Sequence, residues 1–418
     1  MMKPTRFHYA WIVAAVTFLV LLTAAGVRSA PGVLMVPLEN EFGWSRPTIS
    51  FAVAVNIFLY GLAGPFAAAI LERFGLRRTI TAALAIIAVG VALTPLMHEA
   101  WQLVLLWGVV VGSGSGVTAL VLGVTVAARW FDKQRGLVVG ILTASTATGQ
   151  LVFLPFFASL LNAYGWRSVS LTIAAIAALV IIPVAILLRD RPADIGLAPY
   201  GGLTIVARST APTNPFRRAF SALVTASSNR NFWFLSGSFF ICGASTNGLI
   251  GTHLIPACID HGITEVAGAS LLAAMGIFDF FGTTASGWLS DRVDNRKLLA
   301  WYYGLRGLSL ICLPFTFQYS FYGLSLFAVF YGLDWIATVP PTVRLTGQTF
   351  GTQDVGLYFG WIAATHQLGA AFAAWSAGLL RSSTGDYLSA FVSAGLLCLA
   401  ASIMVTFIDR PNSRTALA

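Results

Sequence analysis

Apolar residues in this chain do not alternate with polar ones at the period of a strand, nor do they mark one stripe of a surface helix. They run on for about twenty residues or more, on all sides, and are then cut by short polar stretches. Twelve such runs predict helices over 9–37, 48–71, 78–97, 101–128, 136–163, 168–188, 231–257, 266–290, 298–319, 321–346, 355–380 and 387–408. In hydrocarbon every backbone N–H and C=O needs a partner within the protein, and helices supply one inside each segment. The pattern therefore predicts an all-α polytopic membrane protein. One stretch breaks the rhythm. Residues 190–229 hold Pro192, Pro199, Pro212 and Pro215, with Gly196, Gly201 and Gly202 among them. That composition predicts a linker between two six-helix bundles, 1–189 and 230–418.

Composition agrees with this reading. The chain has 418 residues, 57% hydrophobic and 10% charged, where soluble domains carry roughly 25% charged residues. Lipid must be the solvent for most of the surface. The net charge of +9 does not mark a nucleic-acid partner, because the basic residues fall in short clusters between apolar runs. With the N-terminus in the cytoplasm, 20 of the 25 Lys/Arg lie on the cytoplasmic side and only Arg46, Arg167 and Arg381 lie outside. That imbalance predicts a multi-pass protein of the cell membrane with both termini cytoplasmic. Lys3 and Arg6 ahead of the first apolar run imitate a signal peptide. Cleavage after Ala30 would put Arg28 where a small residue is needed, so the run is expected to stay as a helix. Cys242, Cys258, Cys312 and Cys398 lack metal-type spacing, and no metal or cofactor is expected.

The chain also repeats itself. Glu72-Arg73 with Arg77-Arg78 follows the second run, and Asp291-Arg292 with Arg296-Lys297 follows the eighth, 219 residues later. Gly136, Gly140 and Gly149 recur as Gly356, Gly360 and Gly369, at an offset of 220. Two bundles repeated in parallel place a substrate site between them, near mid-membrane.

The loops at Glu72–Arg78 and Asp291–Lys297 resemble the acidic-Arg-x-x-x-basic-basic signature of the major facilitator superfamily. Glu41-Phe42-Gly43-Trp44-Ser45, Arg129-Trp130-Phe131 and Gly165-Trp166-Arg167 resemble stretches of its monocarboxylate/oxalate porter branch. The resemblance implies a secondary transporter, working as a monomer by alternating access. It implies that the first, fourth, seventh and tenth spans line the cavity, with parts of the second, fifth, eighth and eleventh. It also makes Glu72, Arg73, Arg77, Asp291, Arg292 and Arg296 a gating latch. One position departs from the branch pattern. An Asp followed by an Arg one helical turn later is common there in the eighth span, and this chain has Asp279 and Thr283.

A charge at mid-bilayer costs about 2.5–3.5 kcal/mol on insertion scales, so each one inside a run calls for a reason. Arg28 is read as a bidentate anchor for a carboxylate, against the alternative of a structural ion pair. Arg306, in a supporting span, is read as a structural partner of Asp279 or Asp334. Asp334 and Asp279 are the candidate proton carriers; Asp334, close to Pro340-Pro341, is the preferred one, with Asp279 then held by Arg306. Asn56, Tyr60, Asn247, His253, Tyr331, Trp335, Tyr358, Trp361 and His366 are candidate substrate contacts, each equally able to serve packing. Gly108, Gly112 and Gly116 recur every four residues and predict close helix packing.

These residues point to proton-coupled transport of a small organic anion. No nucleophile elbow, HExxH, phosphate loop or paired-acid site occurs, which argues against an enzyme. The competing reading is an exporter of drug-like or hydrophobic metabolites.

Overall fold

The computed structural model describes residues 8–409 apart from 119, 203, 206–214 and 352–354. The first half contains α1 (Tyr9–Phe42), α2 (Arg46–Phe74), α3 (Leu76–Leu93), α4 (Ala100–Leu103), a π-helix (Val104–Val111), α5 (Gly112–Val117), α6 (Leu120–Trp130) and α7 (Arg135–Leu187). A further helix, α8 (Pro215–Ser227), lies within the segment expected to be a linker. The second half contains α9 (Arg230–Gly243), a π-helix (Ala244–Ile250), α10 (Gly251–Asp260), α11 (Glu265–Ser290), α12 (Asn295–Thr316), α13 (Ser320–Asp334), α14 (Val339–Phe350), α15 (Val355–Thr384) and α16 (Leu388–Met404). Among the described residues, nine helical stretches are long and apolar enough to cross a membrane. One of them, α7, holds two of the expected runs. Gly165, at φ 79° and ψ 170°, leaves the helical region and divides it, a backbone that glycine adopts without the Cβ clash.

Many hydroxyls inside these apolar helices are satisfied locally. Thr17 donates to the Val13 carbonyl, Ser115 to Val111 and Thr346 to Thr342, each at 2.8 Å and one turn back, so they add no orphan polar group to a dry interior. The small-residue row in α5 and the π-helix before it does what its spacing predicts. A Cβ on Gly108, Gly112 or Gly116 would press on Ala52, Asn56 or Ala63 of α2. The two backbones therefore touch.

Packing between the halves runs along three seams: α2 against α15, α7 against α11, and α1 against α10. At the end carrying the termini, α8 touches both halves. Trp361 of α15 donates its indole N–H to the Ala219 carbonyl at 2.9 Å. Phe66 of α2 meets the rings of Phe220 and Trp361 at 5.7 Å.

Candidate functional site

Between the halves, about midway along α1, lies a cavity lined by Arg28, Asn56, Tyr60, Gln150, Asn247, Thr252, Trp335 and Gln367, with Ser29 and Pro31 beside them. Its backbone is opened from both sides. Pro31 cannot donate to the Val27 carbonyl one turn back. The π-helix Ala244–Ile250 adds a residue per turn and carries Asn247, and such turns recur at functional sites. Arg28 donates from Nη1 to the Tyr60 hydroxyl at 2.9 Å and lies 5.0 Å over its ring. Its Nε is buried without a partner. Asn56 spends its amide on the Trp107 carbonyl at 2.7 Å. Of the sequence candidates, Arg28, Asn56, Tyr60, Asn247 and Trp335 thus meet here. Gln150 and Gln367 meet them too and were missed, though both stand within two residues of the repeated glycines Gly149 and Gly369.

The other candidates are not among the residues lining this cavity. Tyr331 donates to the Ser245 carbonyl at 2.8 Å. Tyr358 stacks on Phe350 at 4.3 Å, His366 sits 4.8 Å from the Phe239 ring, and Trp361 holds α8. His253 is fully buried. Its Nε2 lies 2.7 Å from the Ala374 carbonyl, which can only accept, so the proton is there. Nδ1 then accepts from the Tyr387 hydroxyl at 3.0 Å.

Beside the cavity the helix comprising α13 and α14 is broken over 335–338, just ahead of Pro340-Pro341. Buried side chains satisfy the freed backbone groups. Arg306 donates through Nε to Asp334 Oδ2 at 2.6 Å and through Nη2 to the Asp334 carbonyl at 2.5 Å. Asp279 Oδ1 accepts from the Ile336 N–H and from Thr283 Oγ1, both at 2.8 Å. Ser286 donates to the Ala337 carbonyl at 2.5 Å. Of the two partners expected for Arg306, Asp334 is the one it meets, and not Asp279. The physical reason is the break itself, which turns the Asp334 carbonyl and carboxylate toward α12 together. Asp334 Oδ1 is buried without a partner, so the Arg306 guanidinium is what compensates this carboxylate.

At the end opposite the termini, Arg46 at the start of α2 joins both halves. Nη1 and Nη2 each reach the Asp260 carboxylate at 2.7 Å, Nε reaches Glu39 at 2.8 Å, and Nη1 also reaches the Tyr387 hydroxyl at 3.1 Å. Arg381 adds a further bond to Asp260 at 2.7 Å. Asp260 ends α10, beyond its apolar run. Burial alone would raise its carboxyl, but the two guanidiniums outweigh burial and hold it below the ordinary range. This cluster was not read from the sequence. The signal was Arg46 itself, a basic residue on the side where the chain has few.

The sequence profile described as Major Facilitator Superfamily matches residues 17–343 and again 254–418. The chain belongs to this superfamily. It is 25% identical over 97% of its length, and 97% of the other, to an uncharacterised MFS-type transporter of Bacillus subtilis. It is 27% identical, over 97% of its length and 90% of the other, to monocarboxylate transporter 13 of Bos taurus. In fold it superposes on a D-xylose-proton symporter with a TM-score of 0.73 at 16% identity, covering 97% of this chain and 99% of that one. The protein is a membrane transporter and not an enzyme, and the resemblance to the monocarboxylate branch stands.

In this transporter the repeated loops are anchored within their own halves. The Arg77 N–H donates to Asp190, three residues past α7, at 2.9 Å. Arg296 pairs with Asp294 at 2.6 Å and donates to the Ile408 carbonyl at 3.1 Å. Asp291 pairs with Arg344 of α14 at 2.9 Å, while Arg292 covers the Trp288 ring and Arg73 the Phe74 ring. Glu72 is exposed.

Proposed function

We propose that this facilitator moves a small organic monoanion together with a proton across the cytoplasmic membrane by alternating access, as a monomer of two bundles joined by 190–229. The observation that carries the reading is Arg28. It is the cavity's charged lining residue, and its Nε is buried without a partner. A carboxylate bridging Nε and a terminal nitrogen would complete its hydrogen bonding in a low-dielectric site. The same charge disfavours a hydrophobic cation.

The proton carrier we assign is Asp279. Neutralising Asp334 would strand the buried Arg306 cation, which is costly. Among the described residues no cation forms an ion pair with Asp279, and protonation on Oδ2 leaves the Oδ1 bond from Ile336 in place. The charges then balance. Arg306 with Asp334 and Arg28 with Asp279 sum to zero; one proton leaves one positive charge, which one monoanion neutralises.

With basic loops inside, the end held by Arg46 and Asp260 faces out. Closing the cytoplasmic end would bring Arg73, Arg77, Asp291 and Arg292 into new pairings.

The test is a thermal-shift screen of purified protein against mono-, di- and tricarboxylates and hydrophobic cations. Monocarboxylates should stabilise it. Arg28→Lys, which keeps the charge but loses the fork, should weaken that binding. Arg28→Ala removes contacts of about 1.5–3 kcal/mol, or roughly tenfold to a hundredfold in affinity. Stabilisation by hydrophobic cations alone would give the site to the exporter reading.

A further inference from the structure

We infer that the monoanion is polyhydroxylated, a sugar acid and not an aliphatic one; the inference rests on Arg28 as the anion anchor. Three carboxamides line the cavity from three elements: Gln150 from α7, Asn247 from the π-helix and Gln367 from α15. Tyr60 and Thr252 add hydroxyls, while Trp335 offers a broad apolar face. Asn56 holds a backbone carbonyl and Thr252 donates to the Asn247 carbonyl at 3.0 Å. The side chains of Gln150, Asn247 and Gln367, in contrast, make no hydrogen bond within the described protein, and they keep contact with the cavity.

Each free carboxamide brings two donors and an acceptor. Alternating donors and acceptors suit hydroxyl groups, which can do both. They do not suit further carboxylates, which only accept and would need more cations than Arg28. An alkyl chain would displace the water on these amides and leave them unpaired, and a site built to hydrogen-bond rejects an analogue that lacks the partner. Placement strengthens the case. Arg28, Tyr60 and Gln150 belong to the first half, Asn247, Thr252, Trp335 and Gln367 to the second. A ligand with a carboxylate at one end and hydroxyls along its body engages both halves at once.

The experiment measures affinity of the purified full chain for glucuronate and gluconate, for their deoxygenated counterparts cyclohexanecarboxylate and hexanoate, and for glucose. A sugar acid should bind at least about tenfold tighter than its deoxygenated counterpart and than glucose, since losing one or two paired groups costs that much. Asn247→Leu, which keeps the branching, and Gln367→Met, which keeps the length, should erase most of that advantage and leave the apolar acids unchanged or improved. Arg28→Ala should weaken both kinds of acid. Apolar acids that bind as tightly as sugar acids, with both dependent on Arg28, would overturn this inference and leave the anion reading standing. Acids of either kind whose binding ignores Arg28→Ala would overturn both. The wild-type comparison needs no variant to fold.

Discussion

Arg46 and Asp260, 214 residues apart in the chain, share a pair of 2.7 Å hydrogen bonds that ties the first half to the second at the end away from the termini. Arg46 is 5% exposed, so solvent screens little of the attraction at its own end. Asp260→Asn or Arg46→Gln should loosen that end. With charge-assisted bonds worth about 1.5–3 kcal/mol each, the open population should rise tenfold or more. Spin labels at Asn40 and Ser382, both exposed, in a Cys312→Ala background, would report a longer distance. An unchanged distribution would remove the latch role.

The same latch carries a pH sign. Its closed-state carboxyl at Asp260 lies below the ordinary range, which it regains when the guanidiniums leave. The contribution to closure is therefore fully present above about pH 4, the ordinary carboxylate value, and is lost as pH falls through the lowered value. The label distance should stay constant between pH 8 and 5.5. A transition inside that window would show that another group controls the latch.

The Arg306–Asp334 pair should be needed for folding. Removing one partner of a buried pair costs about 3–5 kcal/mol because the other charge is left alone. Asp334→Leu or Arg306→Met alone should sharply reduce folded protein in a detergent melting assay, and the double variant should recover much of it. Failure of the double variant would mean that the bonds from Arg306 Nη2 to the Asp334 carbonyl, at 2.5 Å, and the Trp335 carbonyl, at 3.3 Å, matter more than the charge pair.

Asp279→Asn keeps an oxygen for the Ile336 N–H and should fold. In proteoliposomes it should lose substrate-induced proton uptake while still exchanging substrate. Uptake that persists in this variant would return the carrier role to Asp334.

Orientation is open to direct labelling. Cysteines at Asn40 and Ser382 should react with an impermeant reagent from outside, and those at Ile205 and Ser228 only from the cytoplasm. The reverse pattern would invert the topology drawn from the basic loops.

Much of this protein was legible in its sequence because a bilayer leaves few choices. Apolar runs of fixed length must be helices, so the helical segments could be read without knowing any contact. The repeat between Glu72–Arg78 and Asp291–Lys297 revealed the internal symmetry, and from it the cavity with Arg28 and Asn247 on facing sides. The row Gly108, Gly112 and Gly116 announced the close approach to α2. What the sequence left open were choices among partners. Asp279 and Asp334 are both acids within apolar runs, and spacing along separate helices does not say which one meets Arg306. Rotation of the helices, and the break at 335–338 that turns the Asp334 carbonyl toward α12, decided it. The same holds for Arg46 and Asp260, and for Gln367 facing the cavity while Tyr358 and Trp361 on the same helix do not. Helix formation depends on neighbours a few residues apart in the chain, whereas these pairings depend on which faces two helices present to each other across the fold.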